Sequence, residues 1–119
     1  MRVFWNERGR GPTSDKAETV DLEQALHVWS DEMRGVEGNF FGLIDDQDRT
    51  IQFYFVSGIP DHVDDASHEE IVELDFPVVE RRGSLSRMVT IGECDALIRK
   101  AFQVGAEPNQ FEPLTFSAW

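Results

Sequence analysis

The chain has one cysteine, Cys94, so no disulfide can form within it, and such usage is expected of a reducing compartment. It lacks any stretch approaching the roughly 18 apolar residues of a membrane-spanning helix. Its opening, Met1-Arg2-Val3-Phe4-Trp5-Asn6-Glu7, turns polar and charged after three apolar residues instead of extending into the apolar segment of a secretory signal. These absences predict a cytoplasmic protein with no membrane partner. Basic charge is also scarce: 11 Lys and Arg stand against 23 Asp and Glu, a formal net charge of −12. Direct binding to a phosphate backbone needs a basic footprint, so no direct nucleic-acid contact is expected.

Catalytic signatures are missing as well. There is no G-x-x-x-x-G-K-[ST] and no G-x-G-x-x-G; Gly9-Arg10-Gly11 runs into Pro12 and not into a helix that could cradle phosphate. G-x-S-x-G is absent, which removes the nucleophile-elbow hydrolases. One cysteine cannot supply the P-C-x-x-C element of a zinc deaminase. His68-Glu69-Glu70-Ile71-Val72 lacks the second histidine of H-E-x-x-H, and Asp45-Asp46-Gln47-Asp48 lacks the spacing of a calcium loop. No metal, cofactor or catalytic residue is therefore expected. Glu73 and Asp75 would share one strand face, as acid/base pairs do, although two acids on the solvent side of a half-buried strand explain them more simply.

What the chain does have is apolar content, 40 % of residues with nine Phe, enough for a packed core. At 119 residues it suits one domain, 1–119, because two halves would each bury too little. Val3-Phe4-Trp5 reads as a short strand and the turn-rich Gly9-Arg10-Gly11-Pro12 as a mobile loop, together occupying 1–19. Asp21 with Gln24 makes a capping-box start for a first helix with Leu22, Leu26, Trp29 and Met33 on one face, stopped at Gly35. Asn39 to Ile44 and Arg49 to Ser57 form a strand hairpin around the Asp45–Asp48 loop, with Ile51, Phe53 and Phe55 alternating against Gln52, Tyr54 and Val56.

Beyond Gly58 and Pro60 an acidic connection runs from Asp61 to Glu70. The next strand sets Val72, Leu74 and Phe76 against Ile71, Glu73 and Asp75, and Arg81-Arg82-Gly83 turns it into Ser84 to Val89. Thr90 and Glu93 open a second helix with Cys94, Leu97, Ile98, Ala101 and Phe102 on one face. Arg99 and Lys100 lie towards its negative dipole end, and Gly105 stops it. Leu114-Thr115-Phe116 could add an edge strand. The expected architecture is α+β: an antiparallel meander sheet with two helices packed on one face. Cys94 and Trp29 read as core, and Trp119 as either a docked anchor or an exposed contact.

The acids are unevenly placed. Asp45, Asp46, Asp48, Asp61, Asp64, Asp65, Glu69, Glu70, Glu73, Asp75 and Glu80 are opposed only by Arg49, giving residues 45–80 a net charge of −10 and the rest of the chain −2. Such a segment is a solubilising face or the docking surface of a basic partner.

The C-terminal run Ala96-Leu97-Ile98-Arg99-Lys100-Ala101-Phe102, then Glu107-Pro108, then Leu114-Thr115-Phe116, resembles the bacterial immunity proteins found beside deaminase-type polymorphic toxins. In that family a last helix runs into a proline-containing loop and a Leu-Thr-aromatic element near the terminus. Val20-Asp21 before the first helix, and Asn39-Phe40-Phe41 leading to the hairpin near Ile51-Gln52-Phe53, extend the likeness over Val20 to Trp119. The resemblance implies a non-enzymatic protein that binds a cognate toxin domain and blocks its substrate cleft. Charge, not the resemblance, nominates the contact residues: Asp45, Asp46, Asp48, Asp61, Asp64, Asp65, Glu69, Glu70, Glu73 and Asp75, standing in for phosphates in a basic groove. An acidic adaptor or DNA mimic without a toxin partner, and a small metal-dependent enzyme, are the competing readings.

Overall fold

Strand alternation and two capping boxes dictate most of what is seen in the computed structural model, which describes residues 1–119. Seven strands form one antiparallel sheet: β1 (Arg2–Asn6), β2 (Glu18–Thr19), β3 (Phe40–Ile44), β4 (Thr50–Phe55), β5 (Val72–Val78), β6 (Gly83–Val89) and β7 (Thr115–Ala118). Their order is β2-β1-β3-β4-β5-β6-β7. From β3 to β6 each strand pairs with the next, so the expected meander and α+β class are present. Helices α1 (Leu22–His27) and α2 (Ile91–Val104) pack on one face. No helix is long and apolar enough to cross a membrane.

The sheet's helix side carries the core. Ile51, Phe53 and Phe55 of β4, together with Val72, Leu74 and Phe76 of β5, are all at most 2 % exposed. Trp29 joins sheet to helix layer: its ring stacks on Phe55 at 5.6 Å, meets Phe41 edge-on and lies tilted against Phe53, at 5.7 Å each. Such aromatic pairs add directionality to burial. From α2, Cys94, Ile98 and Ala101 are fully buried, and Phe111 from the loop beyond it closes on Phe76 at 5.2 Å. Burial first, and then the adjacent Glu93, push the Cys94 thiol above its ordinary value. It is packing, not a nucleophile.

Both capping boxes form. The Asp21 side chain accepts from Gln24 N at 2.8 Å while the Gln24 side chain accepts from Asp21 N at 2.9 Å. Thr90 and Glu93 exchange the equivalent bonds at 3.2 and 2.7 Å. The first helix nevertheless differs from its expected course to Met33: regular α geometry ends at His27, and a wider π-helical turn, Val28–Glu32, carries Trp29 and Met33 into the core. Arg99 and Lys100 are not end-of-helix charges either. Arg99 pairs with Asp95 at 2.7 Å, one turn back, and Lys100 lies over the Phe111 ring.

The N-terminal segment is built in, not loose. β1 sits inside the sheet between β2 and β3, and the Gly9–Pro12 turn is tied back by Glu7–Arg10 backbone bonds of 3.0 Å and by Trp5 N to Pro12 O at 3.1 Å. Left-handed backbone at Arg8, Gly9 and Gly11 makes the reversal. Ile71 departs from the expected alternation because it precedes the paired part of β5, and it is buried.

Asp45 staples the β3–β4 turn to the end of α2. Its carboxylate accepts from Gln47 N and Arg49 N at 2.9 Å each, and from Arg49 Nε and Ala106 N at 2.8 Å each. Arg49 continues to Glu107 at 2.6 Å. Desolvation would raise the Asp45 pKa, but the N–H groups of Ala106 and Arg49, the Arg49 side chain and Gln47 N–H outweigh it, so the net shift is downward. A carboxylate with a lowered folded pKa supports the fold above its unfolded value of about 3.9 and loses that support as the pH falls through the lowered value. Asp45→Asn is expected to cost about 2–4 kcal/mol at neutral pH, because half-buried Arg49 loses its buried partner. Urea unfolding would register this as a lower midpoint at unchanged slope, with the gap to wild type closing under acid conditions.

Candidate docking face on the open side of the sheet

With helices on one side, the other face of the sheet carries no helix of the core layer. Register places the side chains between the core positions there. Phe4, Gly42, Gln52, Asp75, Ser86 and Thr115 are successive partners, forming one row across six strands. Asn6, Phe40, Tyr54, Glu73 and Met88 form the row beside it. Glu73 and Asp75 thus share a face, as their spacing predicts. Gly42 matters here because the Phe4 ring occupies the space any side chain would take, so Phe4 lies down on the sheet and meets Phe40 edge-on at 6.1 Å.

Two adjoining concavities occupy this face and share Gln52. One, of about 470 Å³, lies between the sheet and the returning segment of Gly9, Gly11, Thr13 and Ser14. The other, of about 350 Å³, has Glu73, Asp75, Ser84 and Ser86 among its lining, with Tyr54 and the C-terminal Trp119 completing it. Both volumes are in the range of sites that hold a side chain or small ligand. Neither is lined by a Lys, Arg or His.

The C-terminus resolves the two alternatives for Trp119 by combining them. β7 runs antiparallel along β6 as an edge strand. Trp119 N then donates to Arg82 O at 2.8 Å, and its indole Nε1 donates to Ser84 Oγ at 3.0 Å. The ring is anchored at its polar edge yet 69 % exposed. Ser84 spends its acceptor on Trp119, which leaves its hydroxyl proton for Asp75, and Gln52 Nε2 approaches Asp75 Oδ2 at 3.4 Å. These neutral contacts do not compensate the charge. Burial and the neighbouring Glu73 raise the Asp75 pKa against the lowering effect of the Ser84 hydroxyl.

The acid-rich segment does not form one surface. The β3–β4 turn and the Asp61–Glu70 connection lie at opposite ends of β4, whose six residues separate them by about 20 Å. Asp45 is 6 % exposed and committed to the staple, so it is unavailable for docking. Asp46 and Asp48 are exposed, but Asp48 pairs with Arg2 at 2.6 Å and Asp46 lies 3.9 Å from the N-terminal ammonium. At the far end Asp65 caps the 3-10 turn Ala66–His68 through Ser67 N at 3.0 Å. Its hydrogen bonds with Ser67, and then the His68 charge, hold its carboxyl below the usual value.

Asp61, Asp64, Glu69, Glu70, Glu73 and Asp75 make no ion pair. No three His, Cys, Asp or Glu side chains converge in a way that could hold a metal ion. The sequence reading missed Gln52, Tyr54, Ser84 and Ser86 as parts of a site. Their alternation was visible, but nothing local announces that their strands are neighbours or that Trp119 returns over them.

No protein-family model matches the chain, and neither the curated proteins nor the solved structures contain a match.

Asp45 and Asp75 should answer the same substitution with opposite signs. A carboxylate whose folded pKa is raised favours the fold below its unfolded value and loses that contribution as the pH rises through the folded value. Asp75→Asn is therefore expected to stabilise the protein at pH 7 by up to about 1 kcal/mol and to reduce the loss of stability as the pH rises above the unfolded carboxyl value of about 3.9. Thermal melts of the variant and wild type from acid to neutral pH test this; a fall in stability at pH 7 would show that the fold stabilises the Asp75 carboxylate.

Proposed function

We propose that this chain is an immunity protein, a non-catalytic binder that neutralises a cognate toxin acting on nucleic acid, of the deaminase type, in the cytoplasm of the producing cell. The observation that carries the reading is a run of carboxylates without ion pairs in one stretch of the chain. It runs from Asp61 and Asp64, through Glu69 and Glu70 on a β4–β5 connection that packs against the start of α2, to Glu73 and Asp75 on the open sheet face. The five residue steps from Glu70 to Asp75 span at most about 18 Å, so a partner that grips this end of the sheet can reach both parts.

A toxin that processes nucleic acid presents a basic groove, and carboxylates spaced along a rigid strand and its flanking loop can occupy that groove in place of phosphates. Affinity comes from excluding water over the sheet face. The charges chiefly steer the encounter and fix its orientation. The resemblance of the Ala96–Phe102 helix and the Leu114-Thr115-Phe116 tail to deaminase-toxin immunity proteins supports the same reading from a separate part of the chain.

The reading predicts a toxin gene next to that of this protein, and growth rescue when the two are co-expressed. Calorimetry should give a 1:1 complex of about nanomolar or tighter affinity. Reversing Asp61, Asp64 and Asp65 to Lys should slow association at least tenfold at low salt, roughly as expected for lost electrostatic steering, with much less effect at high salt. Failure of co-expression to restore growth against the neighbouring toxin would overturn the assignment.

A further inference from the structure

We propose that the concavity between Tyr54 and Trp119 is a receptor for an arginine side chain of the partner, with the guanidinium seated on Asp75 and Glu73 and flanked by the two aromatic rings. This rests on the preceding reading only in taking the partner to be basic.

Three features of the concavity converge on that occupant. The first is uncompensated charge. Asp75 and Glu73 stand on adjacent positions of the same sheet face, half-buried, with no Lys, Arg or His lining the cavity around them. Carboxylates in such a setting are costly until a cation arrives. The second is the pair of exposed aromatic rings. Tyr54 is 39 % and Trp119 69 % exposed, although a C-terminal Trp could have turned its face into the sheet. Instead its indole N–H is fixed on Ser84, which orients the ring beside the acids. A planar cation over such rings gains from their negative faces, and Arg does so more often than Lys.

The third is the hydrogen-bonding inventory. Ser84, Ser86, Ser117 and Gln52 surround the carboxylates with neutral groups, which suits a ligand with five N–H donors and a flat outline. A volume of about 350 Å³ is ample for one extended side chain but small for a folded element. A basic loop that inserts one anchoring arginine fits this geometry, as central anchors of that kind commonly do at interfaces.

The test uses labelled octa-arginine and octa-lysine peptides, equal in charge, and fluorescence anisotropy with the full chain in about 150 mM salt. Wild type should bind octa-arginine about tenfold more tightly than octa-lysine. Trp119→Ala and Tyr54→Ala keep the charge, and each should remove most of that preference. Asp75→Asn should weaken the arginine peptide about tenfold while raising the melting temperature. The triple change of Asp61, Asp64 and Asp65 to Asn should weaken both peptides alike and leave the preference intact. Equal binding of the two peptides by wild type, or a preference unchanged in both aromatic variants, overturns the arginine receptor while leaving a basic partner in place. Binding of neither peptide overturns the basic-partner reading itself, and the receptor with it.

Discussion

Ile51, Phe53 and Phe55 lie on the helix side of β4, each at most 2 % exposed, and the pleat then leaves Gln52 and Tyr54 no choice but the opposite face. The neighbouring strands inherit this decision through their register. Leu74 is paired with Phe53, so Glu73 and Asp75 must face away from the helices. Asp75 is paired with Ser86, so β6 presents hydroxyls beside the acids. The apolar contacts that Trp29 makes with Phe41, Phe53 and Phe55 hold that orientation, because a slip by one residue would bury the acids and expose the aromatics. The open face is therefore the obligatory reverse side of a one-sided core.

Two aspartates show how differently the fold treats the same functional group. Asp45 is nearly inaccessible, yet it is surrounded by three backbone N–H groups and the Arg49 side chain. Its charge is stabilised, and it joins two parts of the chain that are 61 residues apart. Asp75 is more accessible but has no cation, only an amide and a hydroxyl, and a like charge at Glu73. One carboxylate contributes to the fold; the other is tolerated at some expense.

Charge counting treated residues 45–80 as a unit, and the folded chain divides them. The hairpin turn and the β4–β5 connection extend from opposite ends of the same strand. Asp46 and Asp48 are drawn to the N-terminal residues Met1 and Arg2, whereas Asp61, Asp64, Glu69 and Glu70 have no such neighbours. Which acids are free thus depends on where β1 enters the sheet, and its insertion between β2 and β3 has no local signal in Val3-Phe4-Trp5. The π-helical turn after His27 was equally invisible, since Leu22, Leu26, Trp29 and Met33 fit an ordinary helix as well. Core contacts, not propensity, settle how that segment ends.

Properties carried by adjacent residues could be read before any fold was known. The period-two alternation of β4 and β5 identified the buried and open faces, the Asp21–Gln24 and Thr90–Glu93 boxes marked both helix starts, and the α+β class followed from their order. Those features depend on the fixed geometry of strands and helix ends, which is local. The open face as a surface was not local. Gln52, Asp75, Ser86 and Trp119 come from four separate strands or ends, and only strand pairing brings them together. The conversion of Asp45 from a candidate contact into a staple required Ala106, far along the chain, to arrive beside it. Sequence by itself determined which residues are acidic and which face of each strand they occupy; tertiary structure decided which of those acids meet a cation, because ion pairing depends on distances that chain order does not contain.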